Sequence, residues 1–280
     1  MNNDSLGNRM KGYENISRIY LTRKIPVIIR IDGKAFHTFT KGMKKPYDRV
    51  LMESMQATMV GLCFNIQGCV FGYTQSDEIT LVLTDYDKIT TNGWFDYNIQ
   101  KMSSISASMA TLIFNREFVK RVAAVGEAYA EAWHTSEEED KYMATLEKAT
   151  ERGAMFDARV FTIPKEEVCN CLIWRQQDAT RNSIESAGRA YYSDKELFKV
   201  NCDGIQELLH KKGVNWNDYP TDFKRGSACY RELRTEEIPN PTNPSETVTV
   251  MRNRWKLDTE IPIFTQDREY IEKHLIPKGE

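Results

Sequence analysis

The stretch Ile28–Thr40, IIRIDGKAFHTFT, runs from an apolar, β-branched segment straight into a carboxylate, a glycine and a lysine. Val27–Ile31 (VIIRI) is short and β-branched, the composition of a buried strand. A strand that finishes in Asp32 and Gly33 admits two readings. One is an ordinary tight turn. The other is an acid set beside a phosphate ligand, with Gly33, which has no Cβ, letting backbone groups come close to it. The choice depends on whether a partner for Asp32 arrives from elsewhere in the chain.

Downstream, Tyr47–Asn65 (YDRVLMESMQATMVGLCFN) places Leu51, Met55, Met59 and Leu62 at helical spacing, which predicts an amphipathic helix. Cys69–Leu83 (CVFGYTQSDEITLVL) predicts strand, tight turn and strand, with the turn near Gln75, Ser76 and Asp77. A long helix is predicted from about Asp96 to Trp133. Its centre, SSISASMATLIF, is small and apolar and suits close packing on a sheet. Residues 134–152 (HTSEEEDKYMATLEKATER) are strongly charged and predict a solvated helical insertion. Ala154–Pro164 (AMFDARVFTIP) is another strand, and Pro164 followed by Glu166 and Glu167 opens a helix. The order β-α-β-β-α-β over Val27–Thr162 is the ferredoxin-like arrangement of an α+β fold, an antiparallel sheet with both helices on one face. Further on, Ser193–Glu196 has the pattern of a capping box, and Gly213 closes a helix over DGIQELLHKK. FKRGSACYREL and TVTVMRNRWKL predict a strand pair joined by the Pro/Asn-rich loop IPNPTNPSE.

In the ferredoxin-like order the first strand and the first hairpin pair centrally, so Asp32 and the Asp77–Glu78 turn can lie side by side. Two carboxylates about 4 Å apart repel by roughly 4 kcal/mol at an effective dielectric near 20. They stay close only with a cation or a proton between them. Carboxylate, water and phosphate oxygens are the ligand set of Mg²⁺, and two such ions can activate an attacking hydroxyl and stabilise a leaving oxygen. The N–H groups from Gly33 through Lys34, Ala35 and Phe36 to His37 can cradle a triphosphate. Taken singly, IDGK and SDE are common structural turns.

The 280 residues fit one large domain or a domain with an appendage, with hydrophobic and charged fractions of 41% and 28%, ordinary for a globular chain. A net charge of −2 means that a nucleic-acid partner must be held by local basic patches. The polar N-terminus has no apolar h-region, and no apolar run approaches a membrane span, so a cytoplasmic protein without membrane contact is expected. Six cysteines without C-x-x-C spacing predict reduced thiols, with Cys169 and Cys171 as small hydrophobes. Four scattered histidines show no zinc spacing. On Thr247–Leu257, Arg252, Arg254 and Lys256 share one strand face, which either tracks a phosphate backbone or is a solvated face over a core. Arg175 and Arg181 flank a polar helical segment where an anion site is one reading. His37 is either a phosphate donor or a structural histidine.

RIDGKAFHTFT, KPYDRVLMESM, GYTQSDEITLVL, MFDARVF, WRQQDATRNS and FKRGSACYRE, in that order, resemble the tRNA-histidine guanylyltransferase family with its Thg1-like relatives. The resemblance covers roughly Tyr13 to Leu233. It implies a palm domain like that of polymerases and nucleotidyl cyclases over residues 1–165, with the charged insertion near 134–152. It also implies a C-terminal part over 166–280, with helical and hairpin elements, that completes the nucleotide and tRNA site. The implied activity is addition of nucleotides to the 5′ end of tRNA in the 3′-to-5′ direction. ATP activates the end, and the 3′-hydroxyl of GTP then attacks it. Asp32, Asp77 and the Gly33 carbonyl match the family's ligands for two Mg²⁺ ions, with Glu78 as a supporting acid. Asp32–His37 and Ser76 match its triphosphate contacts. Lys101, Arg159 and Asn182 align with residues that hold a second triphosphate, and Lys44 aligns near a lysine linked to activation. A homotetramer is also implied.

Members dedicated to tRNA-histidine carry His-Ile-Asn-Asn-Leu-Tyr-Asn-Thr after W-R-Q-x-D. Here Thr180–Ala187 reads TRNSIESA, and only Asn182 matches within its first four residues. This resembles the Thg1-like branch, associated with template-dependent repair of 5′-truncated tRNAs. The competing expectations are guanylylation of tRNA-histidine proper, another palm-fold cyclase or polymerase, and a non-catalytic RNA-binding relative.

Overall fold

The computed structural model describes residues 5–131, 136–240 and 247–276. Its helices are α1 (Ser5–Ile16), α2 (Phe36–Phe39), α3 (Arg49–Asn65), α4 (Ile99–Glu131), α5 (Glu137–Arg152), α6 (Lys165–Tyr191), α7 (Cys202–Lys211), α8 (Thr221–Arg225) and α9 (Glu269–Glu272). The strands are β1 (Val27–Gly33), β2 (Cys69–Gln75), β3 (Glu78–Leu83), β4 (Phe156–Thr162), β5 (Ser227–Pro239) and β6 (Thr247–Asp258). They form one sheet in the order β4-β1-β3-β2-β5-β6, and every pairing is antiparallel. The first four strands reproduce the ferredoxin-like order, and the predicted C-terminal strand pair extends that sheet beyond β2.

Strand alternation divides the side chains between two cores. Val27, Ile29 and Ile31 enter the larger one with Met55, Met59 and Leu62 of α3 and Phe114 and Phe118 of α4. The small buried residues Ser106 and Ala110 let α4 lie close to the sheet. Ile28 points the other way, into a second core with Phe71, Tyr73 and Val82. That face is closed by Val168 and Leu172 of α6 and by Ile261, Phe264 and Ile271 of the C-terminal tail. The two helices of the ferredoxin-like unit do lie on one face, and α6 covers part of the opposite one.

The charged segment 137–152 is helical, but it is not merely solvated. Tyr142, Leu146 and Ala149 are buried against the larger core, and the Tyr142 hydroxyl donates to the buried Asp48 carboxylate at 2.8 Å. Ser136 and Glu139 form its capping box; His134 and Thr135 lie outside the described residues. The predicted box at Ser193–Glu196 makes its hydrogen bonds but closes an isolated turn, and α7 starts later, capped by Asn201 onto the Gly204 N–H. Of the Pro/Asn-rich segment 238–246, Ile238 and Pro239 continue β5, and residues 241–246 lie outside the described residues. All six cysteines are free thiols; Cys169 is buried and Cys171 half-buried.

Candidate active site

Arg30 and Asp32 continue the Ile28 side of β1, so both project toward the α6 face. In the antiparallel ladders Asp32 stands opposite Glu78 of β3 and Asp157 of β4. The hairpin between β2 and β3 closes through two residues, Ser76 and Asp77. Ser76 adopts the left-handed conformation with φ 49°. The Gly33 N–H donates to the Asp77 carbonyl at 3.1 Å, which ties the turn to the end of β1. Asp32 and Asp77 are thereby brought together. A Cβ on Gly33 would stand 2.2 Å from the Phe36 ring, so this position accepts no side chain without displacing a core aromatic.

Burial raises the Asp77 carboxyl to about 6, ahead of its repulsion by Asp32 and Glu78. Burial also raises Asp32, reinforced by Glu78 and Asp157 and opposed by Arg159 and Arg30. Both acids are therefore short of compensating positive charge. Arg159 lies 3.8 Å from Asp32 and 3.6 Å from Asp157, an ion-pair distance without a hydrogen bond. Glu78 is differently placed. Arg175 Nη1 reaches it at 2.8 Å, Arg30 at 3.4 Å, and Gln75 Nε2 donates to it at 3.0 Å. That confinement suits a supporting acid.

Among the described residues no group of three or more His, Cys, Asp or Glu side chains forms a metal cage. Mg²⁺ asks for less: one or two carboxylates with carbonyl, water and phosphate oxygens. Two undercompensated acids flanking the Gly33 backbone fit that requirement.

The backbone cradle is narrower than the sequence suggests. The Gly33 N–H is used by Asp77, and the Lys34 N–H donates to the Met155 carbonyl at 2.8 Å. Ala35, with φ 53°, precedes α2, and the first-turn N–H groups of Phe36 and His37 have no acceptor within that helix. The Phe36 side chain itself is core, packed in tilted and edge-on contact with Phe39, Phe114 and Phe156. His37 is exposed, with Nε2 at 3.1 Å from the Thr38 hydroxyl.

Lys44, Ser76 and Asn182 line a single cavity of about 260 Å³ with Ser183, Ser186 and Arg189. The Lys44 ammonium sits 4.2 Å from the Tyr142 ring centroid. Lys101 is not brought to this region. It lies in the first turn of α4, 5.8 Å from the Phe95 ring, near the Leu21 N–H bond to Tyr97. That is the Val27–Leu83 end of the sheet; α4 comes near Gly33 and Phe156 further along, around Thr111, whose hydroxyl accepts from the Phe156 N–H, and Phe114, whose ring meets those of Phe36 and Phe156.

Of the two arginines read as flanking an anion site, only the half-exposed Arg181 remains open to one. Arg175 is buried and committed to Glu78 and Asp178, and Arg181 pairs with Asp178 at 3.3 Å. The basic face of β6 is likewise partnered: Arg252 and Arg254 pair with Glu236, and Lys256 with Glu232. Sequence reasoning missed Asp157 and Arg30 as neighbours of the acid pair. Arg30 was accessible through its two-residue spacing from Asp32; Asp157 emerges only once β1 and β4 are in register.

A ferredoxin-like sheet with two crowded carboxylates, one at the end of its first strand and one in the β2–β3 turn, is the arrangement expected of a palm-type nucleotidyltransferase. The model of the Thg1 family, tRNAHis guanylyltransferase, matches residues 7–164, and this chain belongs to that family of nucleotidyltransferases. A bacterial tRNA(His) guanylyltransferase (Thg1)-like protein in complex with ATP is 40% identical, with a TM-score of 0.76 over 97% of this chain and 99% of that one. A bacterial Thg1-like protein in complex with GTP is 39% identical at a TM-score of 0.74, with the same coverage. The tRNA(His) guanylyltransferase of Schizosaccharomyces pombe is 26% identical over 242 residues, 81% of each chain. Among the described residues no helix is long and apolar enough to cross a membrane.

Proposed function

We propose that this chain adds nucleotides, GTP in particular, to the 5′ end of tRNA in the 3′-to-5′ direction, and that it repairs 5′-truncated tRNAs under template control after ATP activation of the end. The observation that carries this reading is the meeting of Asp32 and Asp77 at the corner of a palm sheet, both undercompensated. Nucleotide complexes of relatives at 39–40% identity support the substrate class.

In this reading Asp32, Asp77 and the Gly33 carbonyl hold two Mg²⁺ ions. Bound there, the ions supply activation of the attacking hydroxyl and stabilisation of the leaving oxygen. Glu78, restrained by Arg175 and Arg30, adds negative charge behind the pair and keeps its own oxygens occupied. Arg159 is half-exposed and offers a phosphate donor beside Asp32. The free N–H groups around Ala35, Phe36 and His37 and the exposed Lys34 face the triphosphate. Lys44, Ser76 and Asn182 hold the second nucleotide in their common cavity, so residues 166–280 complete a site begun by residues 1–165. Lys101 reaches a triphosphate only on another chain, which accords with a homotetramer.

The test is incubation with 5′-truncated tRNA, ATP, labelled GTP and Mg²⁺. Label at the 5′ end is expected. Label at the 3′ end, or none, overturns the reading.

A further inference from the structure

Trp174 is half exposed on α6, and its ring is packed against two cations. The Arg175 guanidinium carbon lies 3.5 Å from the ring centroid and that of Arg30 lies 5.6 Å away. Arg175 has a side chain only 5% exposed and cannot leave the ring without abandoning Glu78 and Asp178. Trp174 as a whole is nonetheless 50% exposed, so with the Arg175 guanidinium seated on the ring part of its surface still meets solvent.

A single exposed tryptophan needs no explanation by itself. This one stands next to the acid pair. Arg175 clamps Glu78, the ladder partner of Asp32. Arg30 lies two residues before Asp32 on the same strand face and opposite Arg159 on the edge strand β4. Asp157 and Arg159 are exposed, so the sheet face on that side of α6 is uncovered. A half-exposed aromatic ring, held in place by Arg175, thus borders a track of Arg30, Arg159 and Asp32 suited to phosphates.

We propose that Trp174 is the stacking platform for a nucleobase whose phosphates lie at Asp32 and Arg159. The inference rests on the nucleotidyltransferase reading and deepens it by naming the ligand chemistry. The base belongs either to a free nucleoside triphosphate or to the terminal nucleotide of an RNA. Every base has a π-face, so the platform tolerates all four. Because Arg175 already fixes the ring, stacking orders little that was free.

Binding is measured on the full chain for GTP, for ATP, for a 5′-monophosphorylated acceptor-stem hairpin and for inorganic tripolyphosphate, all with Mg²⁺. The variants are Trp174→Leu, which still covers Arg175 but has no π-face, and Trp174→Phe. Removing one base stack weakens affinity roughly 5- to 150-fold. Trp174→Leu should lose that factor for the triphosphates or for the hairpin, Trp174→Phe should lose less, and tripolyphosphate affinity should stay unchanged. The arm that loses affinity assigns the base. In the wild-type protein, emission from Trp174, taken as the difference from Trp174→Phe, should be quenched by that same ligand. Nucleotide and hairpin affinities within twofold of wild type overturn the proposal. So does an equal loss for tripolyphosphate, which would make Trp174 a prop for Arg175. Base-dependent quenching in a protein that labels no 5′ end would leave this site standing and remove the proposed function instead.

Discussion

The Gly33 N–H donates to the Asp77 carbonyl across 3.1 Å, one step beyond the last ladder pair, Asp32 with Glu78. This bond fixes the β2–β3 turn against the end of β1 and holds two acids together whether or not a cation is present. The crowding carries an energetic signature. Burial lifts Asp77 to about 6, above the 3.8 of an unperturbed aspartate. An acid whose folded pKa is raised stabilises the fold fully only below its unfolded pKa, and that contribution is lost as pH rises through the folded value. The metal-free protein should therefore lose melting temperature between about pH 4 and 7 relative to Asp77→Asn. The same variant, like Asp32→Asn, should lose at least about a hundredfold in nucleotide addition, from the several kcal/mol that bound metal contributes to charge stabilisation. Calorimetry across pH beside a 5′-labelling assay checks both. A variant with near-wild-type addition would remove the acids from the site.

Gly33 also has a packing reason to be glycine. Its missing Cβ is occupied by the Phe36 ring, which Phe39, Phe114 and Phe156 hold on its other sides. Gly33→Ala should destabilise the fold by about 1–3 kcal/mol through overpacking. Adding Phe36→Leu should recover part of that loss, because the smaller side chain vacates the contact. Denaturant unfolding of the single and double variants measures the coupling; strict additivity would show that the clash is relieved elsewhere.

Arg159 and Lys101 separate two levels of the sequence reading. The family resemblance implies a triphosphate-holding role for both, yet of the two only Arg159 stands beside Asp32 in the folded chain. Arg159→Ala should raise the nucleotide concentration needed for half-maximal single-turnover addition by about 10- to 150-fold, the worth of a charge-assisted bond to phosphate. Lys101→Ala should have the smaller effect. A larger effect at Lys101 would mean that another chain delivers it to the site.

The β5–β6 ribbon shows why strand periodicity alone leaves open whether a basic face tracks a phosphate backbone or is a solvated face. Alternation correctly put Arg252, Arg254 and Lys256 on one face, but Glu232 and Glu236 share that face on the neighbouring strand and pair with them. Cross-strand partners depend on register, which one strand's sequence does not contain. If the ribbon binds no RNA, Arg254→Ala should leave gel-shift affinity for tRNA nearly unchanged. Glu236→Gln, which frees two arginines, should then increase affinity and steepen its salt dependence.

The same limit explains what was legible in the acid site. VIIRI followed by Asp32, and the hairpin around Asp77, follow from local alternation and turn chemistry, and their order along the chain places them together. Asp157 and the clamp of Arg175 on Glu78 arise from pairings 125 and 97 residues apart in sequence, with no local signature. The charged segment 137–152 reads as solvated because its acids outnumber the three residues, Tyr142, Leu146 and Ala149, that anchor it to the core.

Substrate choice turns on the segment DATRNSIESA. It lies within α6, where Thr180 supplies a hydroxyl in place of the imidazole of members dedicated to tRNA-histidine. Arg181 is half-exposed and pairs with Asp178 at 3.3 Å, so it presents a partly compensated charge, better suited to a backbone phosphate than to the edge of one base. Neither residue offers the paired amides with which a particular base could be read in two hydrogen bonds. Recognition should then come from duplex shape and from pairing of the incoming nucleotide with the opposing base. The protein should restore a missing 5′ nucleotide on several truncated tRNAs of different anticodon. Addition should slow when the opposing base cannot pair, because a lost pair removes the alignment of the 3′-hydroxyl on which in-line attack depends. A panel of truncated transcripts varying anticodon and templating base measures both effects. Preference for the histidine anticodon with indifference to the templating base would instead place this chain among the enzymes that mature tRNA-histidine.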